Sequence, residues 1–207
     1  MKHPDPLLLA RIGLALTEAL PRRDGGHVVL FTSASAQEGK SFVARQVAQA
    51  LAHVSEGDVA LVSTSDDKDV VGSIKHGGSP HGGLADLIAH GRLPEAAFAA
   101  AEATRLYHVP AGSPTLDDSV FSSAGVTRAF AALQQRFSLS LVDGPVLVAC
   151  GAMLPHADAV VLVVDSRLTS PQAIQREIAK AGIEPSRLTG VVLNHVAPGL
   201  PAWMGGD

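Results

Sequence analysis

The chain has one cysteine, one tyrosine and one tryptophan, and aromatic residues of all kinds fill only 4% of its 207 positions. Cys150 alone closes no internal disulfide and builds no cysteine-based zinc cluster. With so few rings the core must be aliphatic, drawn from Val, Leu, Ile and Ala. Charge is also sparse, at 17% of residues, and a net −4 provides no general attraction to nucleic acid or to an acidic membrane surface. No uninterrupted apolar run approaches the roughly 20 residues of a membrane-spanning helix. The stretch Leu7–Leu20 has the apolarity of a signal-peptide core, but Arg11 and Glu18 interrupt it and no small-residue cleavage site follows. It reads instead as a soluble amphipathic helix. What the chain has in quantity is aliphatic residues: hydrophobic ones make up 46%, so a folded globular protein is expected rather than a disordered one, as one domain expected in the cytoplasm.

Strand-like and helix-like segments alternate throughout. Short β-branched runs at His27–Thr32, Asp58–Val62, Leu106–Pro110, Ser138–Val142, Ala159–Val164 and Leu188–Leu193 read as continuous apolar strands, the pattern of a parallel sheet covered on both faces. Helical patterns fall between them at Lys40–Val54, Leu84–His90, Pro94–Ala103, Val126–Phe137 and Pro171–Ala181. Pro94 and Pro171 stand where a first helical turn tolerates proline, and Gly182 stands where a helix ends. This alternation predicts an α/β fold with a doubly wound, mainly parallel sheet, which binds ligands at the C-terminal ends of its strands. The expected organisation is an N-terminal helix and linker over 1–24, a nucleotide-binding domain over 25–197 and a tail over 198–207 that carries Trp203. Lys75–Gly83 (KHGGSPHGG) is a glycine-rich loop.

The sharpest signal runs from Val28 to Ala52, VVLFTSASAQEGKSFVARQVAQALA. An apolar strand leads into a loop of small residues, then Gly39-Lys40-Ser41, then a long helix. That order places backbone N–H groups of Ala34, Ser35, Ala36, Gln37, Glu38, Gly39 and Phe42 around one point, where the helix dipole also favours an anion. In a P-loop of this kind Gly39 lets the backbone approach the phosphates of ATP or ADP. Lys40 reaches their β/γ oxygens and the Ser41 hydroxyl ligates Mg²⁺. The template G-x-x-x-x-G-K-[ST] has glycine at its first position, where this chain has Ala34. A P-loop also needs a carboxylate across from the serine. Asp143 and Asp165 both end strand-like runs; Asp143 is preferred because Gly144-Pro145 after it is expected to turn the chain at the phosphate edge. Asp165 reads as a turn residue ahead of the helix at Pro171.

These residues resemble the cytoplasmic kinase domain of bacterial tyrosine kinases, which accompany the membrane polysaccharide co-polymerases of capsule and exopolysaccharide synthesis. The resemblance extends from about Leu8 to Val196. TSASAQEGKSFVARQVAQALA is similar to the family's Walker A segment. Gly83–Asp86 and LYHVPAGSP (Leu106–Pro114) fall at two further family stretches. LVDGPVLVACGAMLPHADAVVLVVDSRLTS resembles the Walker B segment, and GVVLNHV (Gly190–Val196) the strand ending near the adenine. The resemblance implies a P-loop NTPase fold, phosphate and metal contacts by Gly39, Lys40 and Ser41, a Walker B role for Asp143 and an adenine contact by Asn194. It implies ATP or ADP with Mg²⁺ as ligands and a membrane co-polymerase or export protein as partner. The related MinD and ParA ATPases carry a second lysine early in the loop, where this chain has Ser35.

The departures bear on activity. Where the family has Asp-x-Asp-x-Arg after an apolar strand, Val59–Val62 runs into Ser63-Thr64-Ser65. Serine is no base near neutral pH and offers magnesium no charge. Losing one preorganised group of this kind costs about 3–4 kcal/mol of barrier. Asp66 and Asp67 follow at once and would substitute if the loop slipped, giving an active kinase or ATPase as the alternative reading; a scaffold without nucleotide is the third. The tail GLPAWMGGD lacks the family's tyrosines, leaving only Tyr107, expected inside a strand. At the family's Glu-x-x-Arg-x-x-Arg ring-packing positions stand Leu8, Arg11 and Leu14. An apolar face there would serve a partner, such as a second copy, or would pack on the protein's own sheet. His76 and His81, in the glycine-rich loop, read as solvated, Cys150 as a small buried hydrophobe, and Asp117-Asp118 as a loop.

Overall fold

The aliphatic runs become the strands of one seven-stranded sheet in order β3-β4-β2-β5-β1-β6-β7. The structure, a computed structural model, describes residues 6–22, 24–65, 82–92, 99–100, 105–112 and 123–196. The strands are β1 (His27–Ser33), β2 (Val59–Ser63), β3 (Ala99–Ala100), β4 (Leu106–Val109), β5 (Leu139–Val146), β6 (Ala159–Asp165) and β7 (Gly190–Asn194). The helices are α1 (Pro6–Ala19), α2 (Lys40–Val54), α3 (Leu84–His90), α4 (Ser123–Arg136) and α5 (Pro171–Lys180). Every pairing is parallel except that of β3 with β4.

Alternation along each central strand feeds two cores. Val29 and Phe31 of β1 face α2, whereas Val28 and Leu30 face α3 and α4. This two-sided burial is why the strand reads as a continuous apolar run. Helix α2 buries Val43, Ala44, Val47, Ala48, Leu51 and Ala52 on one stripe at helical spacing. Burying Leu51 alone contributes about 2 kcal/mol. Helix α1 lies on α2 through Leu9, Ile12 and Leu16, with Leu20 packing just beyond its end. Gly13 makes this approach possible, since a Cβ there would sit 2.8 Å from Leu51 Cδ2. Leu8 and Leu14 point outward, 53% and 59% exposed, so they do not pack on the protein's own sheet. On the far side α5 begins at Pro171 under Ser170, whose Oγ accepts the Ala173 N–H, and Gly182 follows it at φ 64°.

Two expectations need correction. Gly144-Pro145 does not turn the chain; β5 continues through both to Val146. Proline is tolerated there because the β1–β5 register slips between Phe31 and Ser33, and the Pro145 carbonyl accepts the Thr32 hydroxyl at 2.9 Å. Gly144 allows the strands to close up, since its Cβ would meet Leu30 Cδ1 at 2.5 Å. Ala99 and Ala100 form a short strand on His108 and Tyr107 rather than part of a helix, because pairing at the β4 edge overrides alanine's local preference. The rest of the Pro94–Ala103 range, Asp66, Asp67, His76, His81, Asp117, Asp118 and Trp203 lie outside the described residues.

Candidate functional site

The loop between β1 and α2 sits at the C-terminal edge of the sheet, centred on its middle strands. Its path depends on two left-handed residues, Gly39 at φ 82° and Gln37 at φ 65°. Gly39 is also sterically required: a Cβ there would lie 2.2 Å from Asn194 Nδ2. No side chain caps α2 and no acidic residue occupies its first turn. Its first N–H groups therefore face the edge without a protein cap, an arrangement suited to an anion. Ala34 is buried at the loop's start, Ser35, Ala36 and Gln37 are exposed, and Phe42 is 36% exposed one residue after Ser41.

The loop is strapped from within. Glu38 is buried, and its carboxylate accepts the Ser35 backbone N–H at 3.1 Å and the Thr169 hydroxyl. Ser33 Oγ donates to the Ser35 carbonyl at 2.7 Å. From β7, Asn194 Nδ2 donates to the Glu38 carbonyl at 3.0 Å, and Asn194 Oδ1 accepts the His195 N–H at 2.9 Å. Asn194 thus braces the phosphate loop itself.

Lys40 and Asp143 meet. Lys40 Nζ lies 3.0 Å from Asp143 Oδ1 and donates to the Gly144 carbonyl. Asp143 is buried, and its Oδ1 takes no well-directed hydrogen bond. A buried carboxylate oxygen with an ion pair and no directed hydrogen bond keeps acceptor capacity, which a metal-bound water would use. These observations fit a nucleotide with a divalent metal: the uncapped helix start and Lys40 would hold phosphate, with Ser41 and Asp143 on the metal side. When bound, the metal would supply charge neutralisation at the phosphates.

The competing Asp165 is committed elsewhere. Its Oδ1 accepts Arg167 N and Nε at 2.9 and 3.0 Å, and its Oδ2 accepts Arg167 Nη2 and His195 Nδ1, each at 2.8 Å. With donors on both oxygens it is a saturated turn aspartate. The Arg167 guanidinium, chiefly, holds this carboxyl well below the usual carboxylate range.

Ser63 ends β2 in register with Asp143. The next residue ties the two strand ends together, Thr64 N and Oγ1 donating to the Asp143 carbonyl at 3.2 and 2.7 Å. Ser63 Oγ is 3.0 Å from His108 Nε2, in a buried contact. Sequence reasoning passed over His108, Thr169, Arg167 and His195. The first had a readable signal, a histidine in an otherwise apolar strand. The others join only through tertiary contacts. Tyr107 packs on Phe137 with ring centroids 5.5 Å apart and lies under the Arg136 guanidinium. It pairs with Ala60, nearer the start of β2 than Ser63. A cavity of about 460 Å³, lined by Leu20, Arg22, His27, Glu56 and Ser138 among others, lies at the opposite edge of the sheet.

No family model and no curated protein matches the chain. Solved structures do. The VpsO kinase domain is 23% identical, covers 93% of this chain and 96% of its own, and superposes with a TM-score of 0.74. The kinase domain of the Escherichia coli tyrosine kinase ETK is 16% identical over 95% of this chain and 77% of its own, at a TM-score of 0.66. A ParA family ATPase from Chlorobium tepidum is 21% identical over 81% and 73%, at 0.62. Among the described residues no helix is long and apolar enough to cross a membrane. The chain therefore has the doubly wound P-loop fold that these kinase domains share with ParA-type ATPases.

Proposed function

We propose that this chain binds ADP or ATP with Mg²⁺ at the β1–α2 loop, and that it does so with little or no turnover as a tyrosine kinase. The observation that carries this reading is the uncapped start of α2 beside Lys40, whose ammonium is paired with the buried carboxylate of Asp143. Each feature alone is common; together they supply anion donors, a cation and a metal-side carboxylate at one sheet edge. Weak turnover follows from Ser63 and Ser65, which stand where the resemblance places carboxylates. It follows also from Tyr107, whose ring is packed under Arg136.

The cellular role proposed is in capsule or exopolysaccharide synthesis or export, on the resemblance to kinases of that machinery. The protein would work in the cytoplasm and reach the inner membrane through a co-polymerase or export partner. Leu8 and Leu14, exposed on α1, offer a contact for that partner or for a second copy. Calorimetry with ADP–Mg²⁺ on the wild type and on Lys40→Ala tests the binding. Heat in the wild type, with affinity lowered at least about tenfold in the variant, is expected, because a charge-assisted phosphate contact contributes about 1.5–3 kcal/mol. No heat in either protein would refute it.

A further inference from the structure

We infer that Ser63 is a phosphoryl acceptor, activated by His108, for the triphosphate held by the same chain. Ser63 Oγ and His108 Nε2 are 3.0 Å apart, within the reach that pairs a nucleophile with its base. Their placement is set by alternation along three neighbouring strands. Val59 and Leu61 precede Ser63, Leu106 precedes His108, and Leu139 and Leu141 precede Asp143, all of these apolar residues packing in the core under α2. Ser63, His108 and Asp143 therefore project on that same face, the one that carries Lys40. Ser63 and Asp143 are register partners on adjacent strands, so their backbones lie about 5 Å apart, and Asp143 Oδ1 is 3.0 Å from Lys40 Nζ. The dyad thus stands beside the ammonium proposed to hold the β/γ phosphates.

Burial narrows the donor. Ser63 and His108 are each 4% exposed, so the active site of a separate kinase has no access to the hydroxyl. A triphosphate in the chain's own loop would approach from within, along the side of Asp143, the register partner of Ser63 and the ion-pair partner of Lys40. In the step, Ser63 Oγ bonds to the γ-phosphorus and the bond from that phosphorus to the β-bridging oxygen breaks. The electron pair leaves on the diphosphate, and the hydroxyl proton passes to His108 Nε2. The reaction is a single self-modification rather than turnover on outside substrates, in keeping with serine at a position where the resemblance places a carboxylate base.

The inference rests on the nucleotide-binding reading, and three measurements separate the two. In the nucleotide-free protein, ¹⁵N NMR should show Nε2 of His108 as the unprotonated acceptor of the Ser63 hydroxyl, a signal that Ser63→Ala moves. An Nε2 that carries the proton would overturn the dyad. After incubation with ATP–Mg²⁺, mass spectrometry of the peptide containing Ser63 should show one phosphate. It should be absent in Ser63→Ala and form about 10²–10⁴-fold more slowly in His108→Gln and His108→Phe. Wild-type protein that gives calorimetric heat with ADP–Mg²⁺ yet carries no phosphate on Ser63 would sink this inference and leave nucleotide binding standing. Absent heat would overturn both, and unchanged labelling in both His108 variants would remove the histidine from the step.

Discussion

Replacing Gly39 by alanine tests the geometry of the loop at its tightest point. The added methyl must take φ 82° and must share space with Asn194 Nδ2, 2.2 Å away. The left-handed backbone costs an L-residue about 1–2 kcal/mol. Displacing Asn194 also breaks its bond to the Glu38 carbonyl, worth about 1 kcal/mol. The sum, about 2–3 kcal/mol, corresponds to a fall in Tm of about 4–12 °C for a domain of this size. Thermal and urea unfolding of Gly39→Ala, Asn194→Ala and the double variant should therefore form a non-additive cycle. Removing the Asn194 amide relieves the clash, so the double variant should lie about 1 kcal/mol above the additive value. A Gly39→Ala protein that melts with the wild type, or a cycle that closes additively, would show that Asn194 does not press on the loop.

Three other outcomes follow from particular contacts. Asp165 is held ionised chiefly by Arg167, so its folded-state pKa lies below the unfolded value. Its contribution to stability is full above about pH 4 and is lost as pH falls further. Arg167→Ala should accordingly shift acid unfolding to higher pH, and an unchanged acid transition would count against the saturated-carboxylate reading. Cys150 is buried, and burial raises its thiol pKa against the lowering effects of Thr32 and Lys40. Iodoacetamide should therefore label the native protein at least about tenfold more slowly than free cysteine, with the full rate restored in urea. On α1, Leu16→Ala should cost about 2–4 kcal/mol in urea unfolding, whereas Leu14→Ala, on the exposed side, should stay within about 0.5 kcal/mol.

The parts of the fold legible in the sequence are those whose cause is local. The apolar run before Ser33, the small-residue loop and the helical stripe from Val43 to Ala52 each carry their own period. The predicted Lys40–Val54 and Leu84–His90 helices match α2 and α3 residue for residue. What was not legible depends on partners distant in the chain. Gly144-Pro145 reads as a turn in any short window, and only the bulge at Thr32 in the neighbouring strand makes it a strand. Ser63 and His108 are 45 residues apart, and His195 and Asp165 are 30. No spacing rule links such pairs. Among the candidate site residues, Lys40 and Asp143 announce themselves through motif order, whereas Glu38 becomes a loop strut only once Thr169 is brought against it.

Lys40 and Asp143 neutralise one another across the gap between α2 and β5. An incoming anion that draws off the ammonium strands a negative oxygen in a dry place, and an incoming cation that takes the oxygen strands the ammonium. Either ligand alone meets that penalty, while a salt of the two removes it from both sides at once. Occupancy should then rise with the product of the two concentrations rather than with either one. The pocket would act as a coincidence detector for both ions even without any reaction taking place.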